Sequence, residues 1–244
     1  MRQRLDLLLV DRGLVPSRER ARALILAGQV QVNGQPATKA GVSVASDADI
    51  ALLVPDHPYV GRGGVKLAHA LDAFAIEVTG AVALDIGAST GGFTDVLLQR
   101  GARQVVALDV GHGQLDWRLR TDSRVVVREH VNARHLPPDD LPGPFDLVTI
   151  DVSFISLRQI LPVVPPRLAT DGDVVALVKP QFEAGREDVE RGGLVTDPAV
   201  HARVLEEVRT AARAVGLTPM ADTPSPITGA TGNQEFLLHL RGAR

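Results

Sequence analysis

The stretch that decides the fold is Leu84-Asp85-Ile86-Gly87-Ala88-Ser89-Thr90-Gly91-Gly92-Phe93. An apolar run, 81–85, leads into its glycine-rich turn, and a helix-like segment, 92–100, follows the turn. Short apolar runs of the same kind recur along the chain at 105–109, 125–127, 147–151, 174–178 and 235–240. Continuous apolar strands that alternate with helical segments predict an α/β domain with a doubly wound, mostly parallel sheet.

The glycine-rich turn lies where open parallel sheets bind ligands, at the carboxyl end of a strand. Glycines in such a turn let the backbone approach a ligand closely. Asp109 follows the next strand and is placed to hold the hydroxyls of a ribose. The turn could instead merely connect a strand to a helix, but the acidic strand ends, Asp85 and Asp109, favour a cofactor that carries a nucleoside.

The spacing of the glycines discriminates between cofactors. A dinucleotide fingerprint requires G-x-G-x-x-G to seat a pyrophosphate, whereas this turn reads D-x-G-x-x-x-G-G and lacks the second glycine. NAD is therefore disfavoured. The turn resembles motif I of class I S-adenosylmethionine (SAM) methyltransferases, which have a Rossmann-like fold with an antiparallel C-terminal strand. The resemblance implies that a set of loop residues binds SAM: Asp85, Gly87, Ala88, Ser89, Gly91, Gly92, Phe93, Asp109, Val110, Asn132 and Asp151. Asn132 could equally be an ordinary polar loop residue.

The composition is that of a globular protein. Of 244 residues, 45% are hydrophobic and 23% are charged, close to globular averages. The absence of cysteine excludes disulfides, thiolate zinc sites and cysteine nucleophiles. No apolar run approaches the roughly 18 residues of a membrane span, and the seven histidines form no H-E-x-x-H motif. We expect a cytoplasmic protein that uses neither a membrane nor a metal ion.

The net charge of −3 hides an asymmetry along the chain. Residues 1–40 carry seven basic and three acidic side chains, whereas the remaining 204 residues carry a net charge of −7. Because phosphate binding depends on where lysine and arginine lie, a basic segment on an acidic body favours contact with a polyanion. A solvated charged surface is the alternative.

The basic segment contains signals for two helices and a hairpin. A first helix is predicted over 4–13, and a second begins after Ser17, a favourable N-cap, and ends before Gly28. An alternating strand, 29–32, then runs into Asn33-Gly34, a strong hairpin signal.

This segment resembles the S4 RNA-binding domain, a small α+β domain. The motifs that carry the resemblance are Leu5-Asp6, Gly13-Leu14, Ser17-Arg18-Glu19-Arg20-Ala21, Ala27-Gly28-Gln29-Val30 and Val32-Asn33-Gly34. The resemblance implies that an arginine-bearing helix and a hairpin dock on structured RNA through phosphate and shape contacts. Arg18 and Arg22 lie four residues apart and can therefore face one surface. The candidate RNA-binding residues are Arg4, Arg18, Arg20, Arg22, Lys39 and Arg62.

We predict three parts of the chain: an S4-like domain over 1–55, a linker over 56–64 and a methyltransferase domain over 65–244. The first part closes with a strand predicted over 50–54. Proline, glycine and charge interrupt both periodicities in the linker. A helix is predicted from 65 to 74.

Two polar residues follow later strands of the predicted sheet. Asp151 ends the fourth strand, and Lys179 follows the fifth and precedes Pro180. Because parallel strands end at one edge of the sheet, both side chains are expected over the cofactor pocket. Lys179 is a functional candidate, and a purely structural ion pair with Asp151 is the alternative.

The whole chain resembles the TlyA family, haemolysin-like proteins that join an S4 domain to a methyltransferase domain of the FtsJ/RrmJ type. The motifs that carry the resemblance are Gly61 to Leu67, Asp85 to Phe93, Asp109 to Leu115, Asp151 to Ser156, Val178 to Glu183 and Gly232 to Leu237. The resemblance implies SAM-dependent methylation of a cytidine ribose 2'-hydroxyl in 16S and/or 23S ribosomal RNA. It also implies a catalytic tetrad of Lys66, Asp151, Lys179 and Glu235. Tyr59 stands where the family commonly has tryptophan, which leaves open any coupling of RNA and SAM binding through the linker.

The chemistry gives the tetrad residue types a reason. A ribose hydroxyl is a poor nucleophile, so attack on a sulfonium methyl needs proton removal and firm alignment. A lysine can act as the base only if burial or a nearby cation makes its ammonium group give up a proton. Lys66 would supply that cation for Lys179, while Asp151 and Glu235 orient the amines. In the alternative, Lys179 stays charged and alignment supplies most of the acceleration.

Two other classes of function stay open at this point. One is a non-catalytic RNA-binding or ribosome-assembly factor that keeps SAM only as a ligand. The other, suggested by the haemolysin label, is a membrane-active protein, and it is disfavoured because the sequence contains neither a span nor a strongly amphipathic basic helix. The sequence leaves the oligomeric state open and is compatible with a monomer.

Overall fold

The computed structural model of the protein describes residues 2–15, 17–53, 57–137, 140–141 and 143–242. The chain divides into two compact units, Met1–Pro58 and Tyr59–Arg244. Each unit has a hydrophobic core of its own.

The N-terminal unit combines two helices with two small antiparallel sheets. Its elements are β1 (Arg2–Arg4), α1 (Leu5–Asp11), α2 (Arg18–Leu26), β2 (Val30–Val32), β3 (Gln35–Pro36), β4 (Ser43–Ala45) and β5 (Ile50–Leu52). β1 pairs with β4, and the second sheet has the order β3-β2-β5. The apolar faces of α1 and α2 pack together through Leu5, Leu9 and Ile25, all fully buried.

Local signals in this unit are confirmed, with two corrections to the predicted bounds. The Ser17 hydroxyl caps α2 by accepting a hydrogen bond from the Arg20 backbone N–H. Asn33 and Gly34, with φ of +50° and +74°, form the two-residue turn between β2 and β3. The first helix is shorter than the predicted 4–13, because the residues before Leu5 are extended and pair with β4. The strand predicted over 50–54 ends at Leu52. Residue 53 follows the strand, and 54 lies outside the described residues.

The C-terminal unit is a three-layer α/β domain. Its helices are α3 (Gly63–Ala73), α4 (Gly92–Gln99), α5 (Trp117–Arg120), α6 (Pro180–Glu183) and α7 (Pro198–Ala214). Its strands are β6 (Val82–Ile86), β7 (Gln104–Leu108), β8 (Val125–Arg128), β9 (Phe145–Ile150), β10 (Leu168–Val178), β11 (Leu217–Pro224) and β12 (Phe236–Gly242).

The seven strands form one sheet in the order β11-β12-β10-β9-β6-β7-β8. The pairs from β10 to β8 are parallel, and β12 runs antiparallel to both of its neighbours. The expected mostly parallel sheet with an antiparallel C-terminal strand is therefore confirmed.

Strand alternation separates the core into two layers. Leu84 and Ile86 face the layer covered by α7, whereas Ala83 faces the layer covered by α3 and α4. Because the parallel strands all run in one direction, the loops after β6, β7, β9 and β10 meet at one edge of the sheet. The candidate functional site lies at this edge.

Candidate active site

The loop between β6 and α4 approaches the end of β9 closely. Gly87 has a φ of +87°, and a Cβ there would overlap the carbonyl oxygen of Asp151. Gly91 has a φ of +98° and begins α4, and a Cβ there would overlap the side chain of Leu119. Both positions therefore require glycine, because the backbone is left-handed and there is no room for a side chain. The loop forms a concave surface beside the end of β9, which we call the cradle.

A cavity of about 470 Å³ opens beside this cradle at the ends of β6 and β7. Its lining is largely apolar, with the exposed Val110 at the mouth and Asp109 on one wall. The Asp109 carboxylate accepts hydrogen bonds from the backbone N–H groups of Ser89 (2.8 Å) and Gly111 (2.7 Å), which fix its orientation. Asn132 also lines this cavity, and its side chain caps the turn over 133–135 by accepting from the Arg134 N–H. Apolar walls with one oriented carboxylate suit a nucleoside.

A second cavity, of about 270 Å³, adjoins the first. The two share the lining residues Gly87, Ser89, Asp151 and Ser153. The second cavity is also lined by charged and small residues of α3, the β6–α4 loop and the segment after β10: Arg62, Gly63, Lys66, Ala88, Thr90, Gly92, Phe93 and Lys179.

The four predicted tetrad residues form two ion pairs, and three of them, Lys66, Asp151 and Lys179, line the second cavity. Glu235 is paired with Lys66 and does not itself line the cavity. Lys179 Nζ lies 2.6 Å from Asp151 Oδ1, and Lys66 Nζ donates a hydrogen bond to Glu235 Oε2. Lys66 and Lys179 are 8% and 9% exposed, and Glu235 is 2% exposed. Buried ion pairs of this kind cost desolvation energy and are weak stabilisers, so their placement beside a cavity is better explained by chemistry than by stability.

Asp85 lies beneath the cofactor loop and lines neither cavity. Strand alternation directs it toward α4, where it is fully buried and accepts hydrogen bonds from the hydroxyls of Thr94 (2.7 Å) and Thr149 (2.9 Å). Burial raises the pKa of Asp85 to about 6, although the two threonine hydrogen bonds oppose the rise. Asp85, predicted to bind the cofactor, therefore lies where its side chain supports the loop from beneath. Gly91 likewise lines neither cavity and acts through the turn that begins α4.

Two parts of the site were missed by the sequence reasoning. Ser153 accepts a hydrogen bond of 2.9 Å from Lys179 Nζ and lines both cavities. Ile227, Thr228 and Ala230, from the loop between β11 and β12, line the second cavity. That loop is rich in glycine and threonine and carries no signal beyond that of an ordinary connection.

The candidate RNA-binding residues fall into three groups. Arg4 and Arg18 both bind the fully buried Asp6 carboxylate, at 2.9 Å, and their guanidinium groups stay about half exposed. Arg20 contacts His57 at 2.9 Å, whereas Arg22 and Lys39 are exposed. Arg62 belongs to the C-terminal unit, where it lines the second cavity and donates to the Thr228 carbonyl. Arg4 and Arg18 therefore have a structural partner in addition to any RNA phosphate.

The described part of the chain holds no group of three or more histidine, aspartate or glutamate side chains arranged to bind a metal ion. Nor does that part include a helix long and apolar enough to cross a membrane.

Comparisons with known proteins identify both units. The model of the FtsJ-like methyltransferase family matches residues 59–242, and that of the S4 domain matches residues 3–50. The chain is 50% identical over 242 residues to the 16S/23S rRNA (cytidine-2'-O)-methyltransferase TlyA of Mycobacterium tuberculosis, covering 98% of this chain and 90% of that one. It is 42% identical to Hemolysin A of Brachyspira hyodysenteriae, with 97% and 98% of the two chains covered. A solved structure of a candidate hemolysin from Streptococcus thermophilus has a TM-score of 0.79 at 44% identity, covering 99% of this chain and 89% of that one.

Proposed function

This chain belongs to the TlyA family of FtsJ-like methyltransferases, and from that membership we propose that it transfers a methyl group from SAM to the ribose 2'-hydroxyl of a cytidine in 16S or 23S ribosomal RNA. The observation that carries the proposal is the meeting of two lysine–carboxylate pairs at a cavity that adjoins a nucleoside-sized one. A purely structural role would not require both pairs to border the same opening.

The residues around the larger cavity fit the adenosine part of SAM. Asp109 would hold the ribose hydroxyls, Asn132 and Val110 would flank the base, and the glycine loop would border the methionine part. When bound there, SAM supplies an electrophilic methyl group on a positively charged sulfur. Asp151, which lines both cavities, provides negative charge at their junction.

The lysines handle the proton of the acceptor. Lys179 Nζ, as the neutral amine, would take the proton of the 2'-hydroxyl as that oxygen attacks the methyl group that bound SAM would supply. Asp151 then balances the charge on Lys179, and Glu235 holds Lys66 as the second cation of the site. In the alternative mechanism, the pairs only align the hydroxyl, and the proton leaves to water.

The N-terminal unit supplies the RNA contact. Arg4, Arg18 and Arg22 bind phosphates of structured ribosomal RNA, and Arg62 binds a phosphate close to the acceptor ribose. Non-specific phosphate contacts of this type position a protein without reading bases. The partner is ribosomal RNA or a ribosomal subunit, and the methyl transfer takes place in the cytoplasm.

Transfer of labelled methyl groups from SAM to purified ribosomal subunits tests this function. We expect the full chain to label one or both subunits, and Lys179→Ala to lose labelling by at least about a hundredfold while still binding SAM. Tight RNA binding with no labelling of either subunit would overturn the proposal and favour a non-catalytic assembly factor. Labelling that persists in Lys179→Ala would remove Lys179 as the base.

A further inference from the structure

Ser153 makes a contact with Lys179 that the tetrad does not account for. Its hydroxyl oxygen accepts a hydrogen bond of 2.9 Å from Nζ, while Asp151 Oδ1 lies 2.6 Å from the same nitrogen. Asp151 Oδ1 forms this ion pair without accepting a hydrogen bond, so the one hydrogen-bond acceptor that the described residues offer to Lys179 Nζ is the Ser153 hydroxyl. That contact limits the directions in which Nζ can point.

Ser153 lies at the junction where acceptor and methyl donor have to meet. It is exposed and is one of the four residues that line both cavities. The residue that follows it, Phe154, has a φ of +65°, which is uncommon for a non-glycine residue and marks a constrained turn. Such outliers concentrate at functional sites because the surrounding structure has to hold them.

The loop that carries Ser153 is fastened at its far end as well. The buried Glu183 carboxylate accepts hydrogen bonds from the Ser156 hydroxyl (2.5 Å) and the Leu157 N–H (2.6 Å). Lys179 and Glu183 belong to the same short segment after β10. The loop after β9 is therefore joined to that segment at two points, one through Lys179 and one through Glu183.

A hydroxyl and a carboxylate differ in how strongly they favour the charged form of a neighbouring lysine. A second carboxylate at this position would hold the proton on Nζ more strongly, because an opposite charge favours the charged form. A neutral hydroxyl fixes the direction of the nitrogen without adding negative charge. Ser153 therefore suits a lysine that has to exchange a proton with its substrate.

We propose that Ser153 is a positioning residue that directs Lys179 Nζ toward the acceptor hydroxyl. This inference rests on the proposed methyl transfer. Misplacement of a catalytic group by about 1 Å is costly to the rate, whereas the contacts proposed above for SAM and RNA are made by other residues. The loss of the hydroxyl should therefore lower kcat and leave both KM values in place.

A matched pair of variants tests the role of the hydroxyl alone. Ser153→Thr and Ser153→Val have the same branched shape, but only threonine keeps the oxygen. With ribosomal subunits and labelled SAM, we expect Ser153→Val to lower kcat by about 10- to 100-fold and Ser153→Thr by less than about 3-fold. The KM values for SAM and for the subunit should stay within about 2-fold in both variants.

Ser156→Ala is the control for the loop, because it removes a hydroxyl that fastens the same segment without contacting Lys179. We expect its kcat to stay within about 3-fold of the unmodified chain. Equal kcat values for Ser153→Val and Ser153→Thr would overturn the inference, and so would a loss confined to the KM for the subunit. If the unmodified chain labels no subunit, the proposed function fails first; if it labels normally and Ser153→Val does too, only the role of Ser153 fails.

Discussion

Asp85→Asn offers a quantitative test of the support beneath the cofactor loop. The pKa of Asp85 is raised to about 6 from an ordinary 3.8 because the carboxylate is fully buried. The unfolded chain therefore ionises this group more easily than the folded one. Each pH unit of difference corresponds to about 1.36 kcal/mol, so ionised Asp85 lowers the free energy of unfolding by roughly 3 kcal/mol at neutral pH.

The direction of this pH dependence follows from where the Asp85 proton binds more tightly. Between about pH 4 and pH 6 the folded protein binds the Asp85 proton more tightly than the unfolded chain, so this contribution to stability grows as the pH falls. Asparagine does not titrate. We expect the free energy of unfolding of the aspartate form, relative to that of Asp85→Asn, to rise by roughly 2 kcal/mol between pH 7 and pH 4.

Urea unfolding at several pH values measures this difference, followed by circular dichroism and by the fluorescence of Trp117, the single tryptophan. Any constant effect of the amide on Thr94 and Thr149 cancels when the two pH values are compared. Asp140→Asn, at an exposed position of the same unit, is the control for the exchange of a carboxylate for an amide. A stability difference between the unmodified chain and the Asp85→Asn variant that is independent of pH, or that falls as the pH is lowered, would refute the reasoning.

Three further predictions concern the two units. Lys179→Ala should abolish transfer yet leave the Kd for SAM, measured by calorimetry, within a few fold, because the amine faces the acceptor; a large loss of SAM affinity would contradict this. Arg18→Ala with Arg22→Ala should weaken RNA binding and reduce its dependence on salt, because two phosphate contacts are lost; an unchanged salt slope in filter binding would contradict the assignment. Asp6→Asn should destabilise the N-terminal unit by about 1–2 kcal/mol at pH 7, because the Arg4 and Arg18 guanidinium groups hold the pKa of Asp6 well below its usual range. That loss should shrink as the pH is lowered below about 4, and a constant loss in thermal unfolding would contradict it.

The sequence predicted those parts of the fold whose conformation depends mainly on residues close to each other in the chain. The Ser17 cap, the Asn33-Gly34 turn and the apolar strands all follow from short-range geometry and burial. β11 escaped prediction because this edge strand is mostly exposed and lacks an apolar run. β10 begins six residues before the predicted 174–178, and this first half is irregular, because the pairing with β9 is interrupted between Leu168 and Asp173. Residues 169–172 form no apolar run that could have predicted it.

The active site could be predicted only in part for a related reason. Lys66 and Glu235 are 169 positions apart in sequence, and no spacing rule links them; the family resemblance placed them in one tetrad. The side chain of Asp85 points beneath the loop because of strand alternation, which a glycine motif does not encode. Ser153 was overlooked because a serine after a strand is common, and its contact with Lys179 depends on how two loops meet.

The chemical position of the transferred methyl group tests the central claim most directly. Ribosomal RNA from treated subunits can be digested to nucleosides and fragmented by mass spectrometry, which separates base from sugar. The two lysine–carboxylate pairs predict a methylated cytidine whose extra mass stays with the ribose and is absent after treatment with Lys179→Ala. Extra mass on the base would contradict an active site built to deprotonate a sugar hydroxyl.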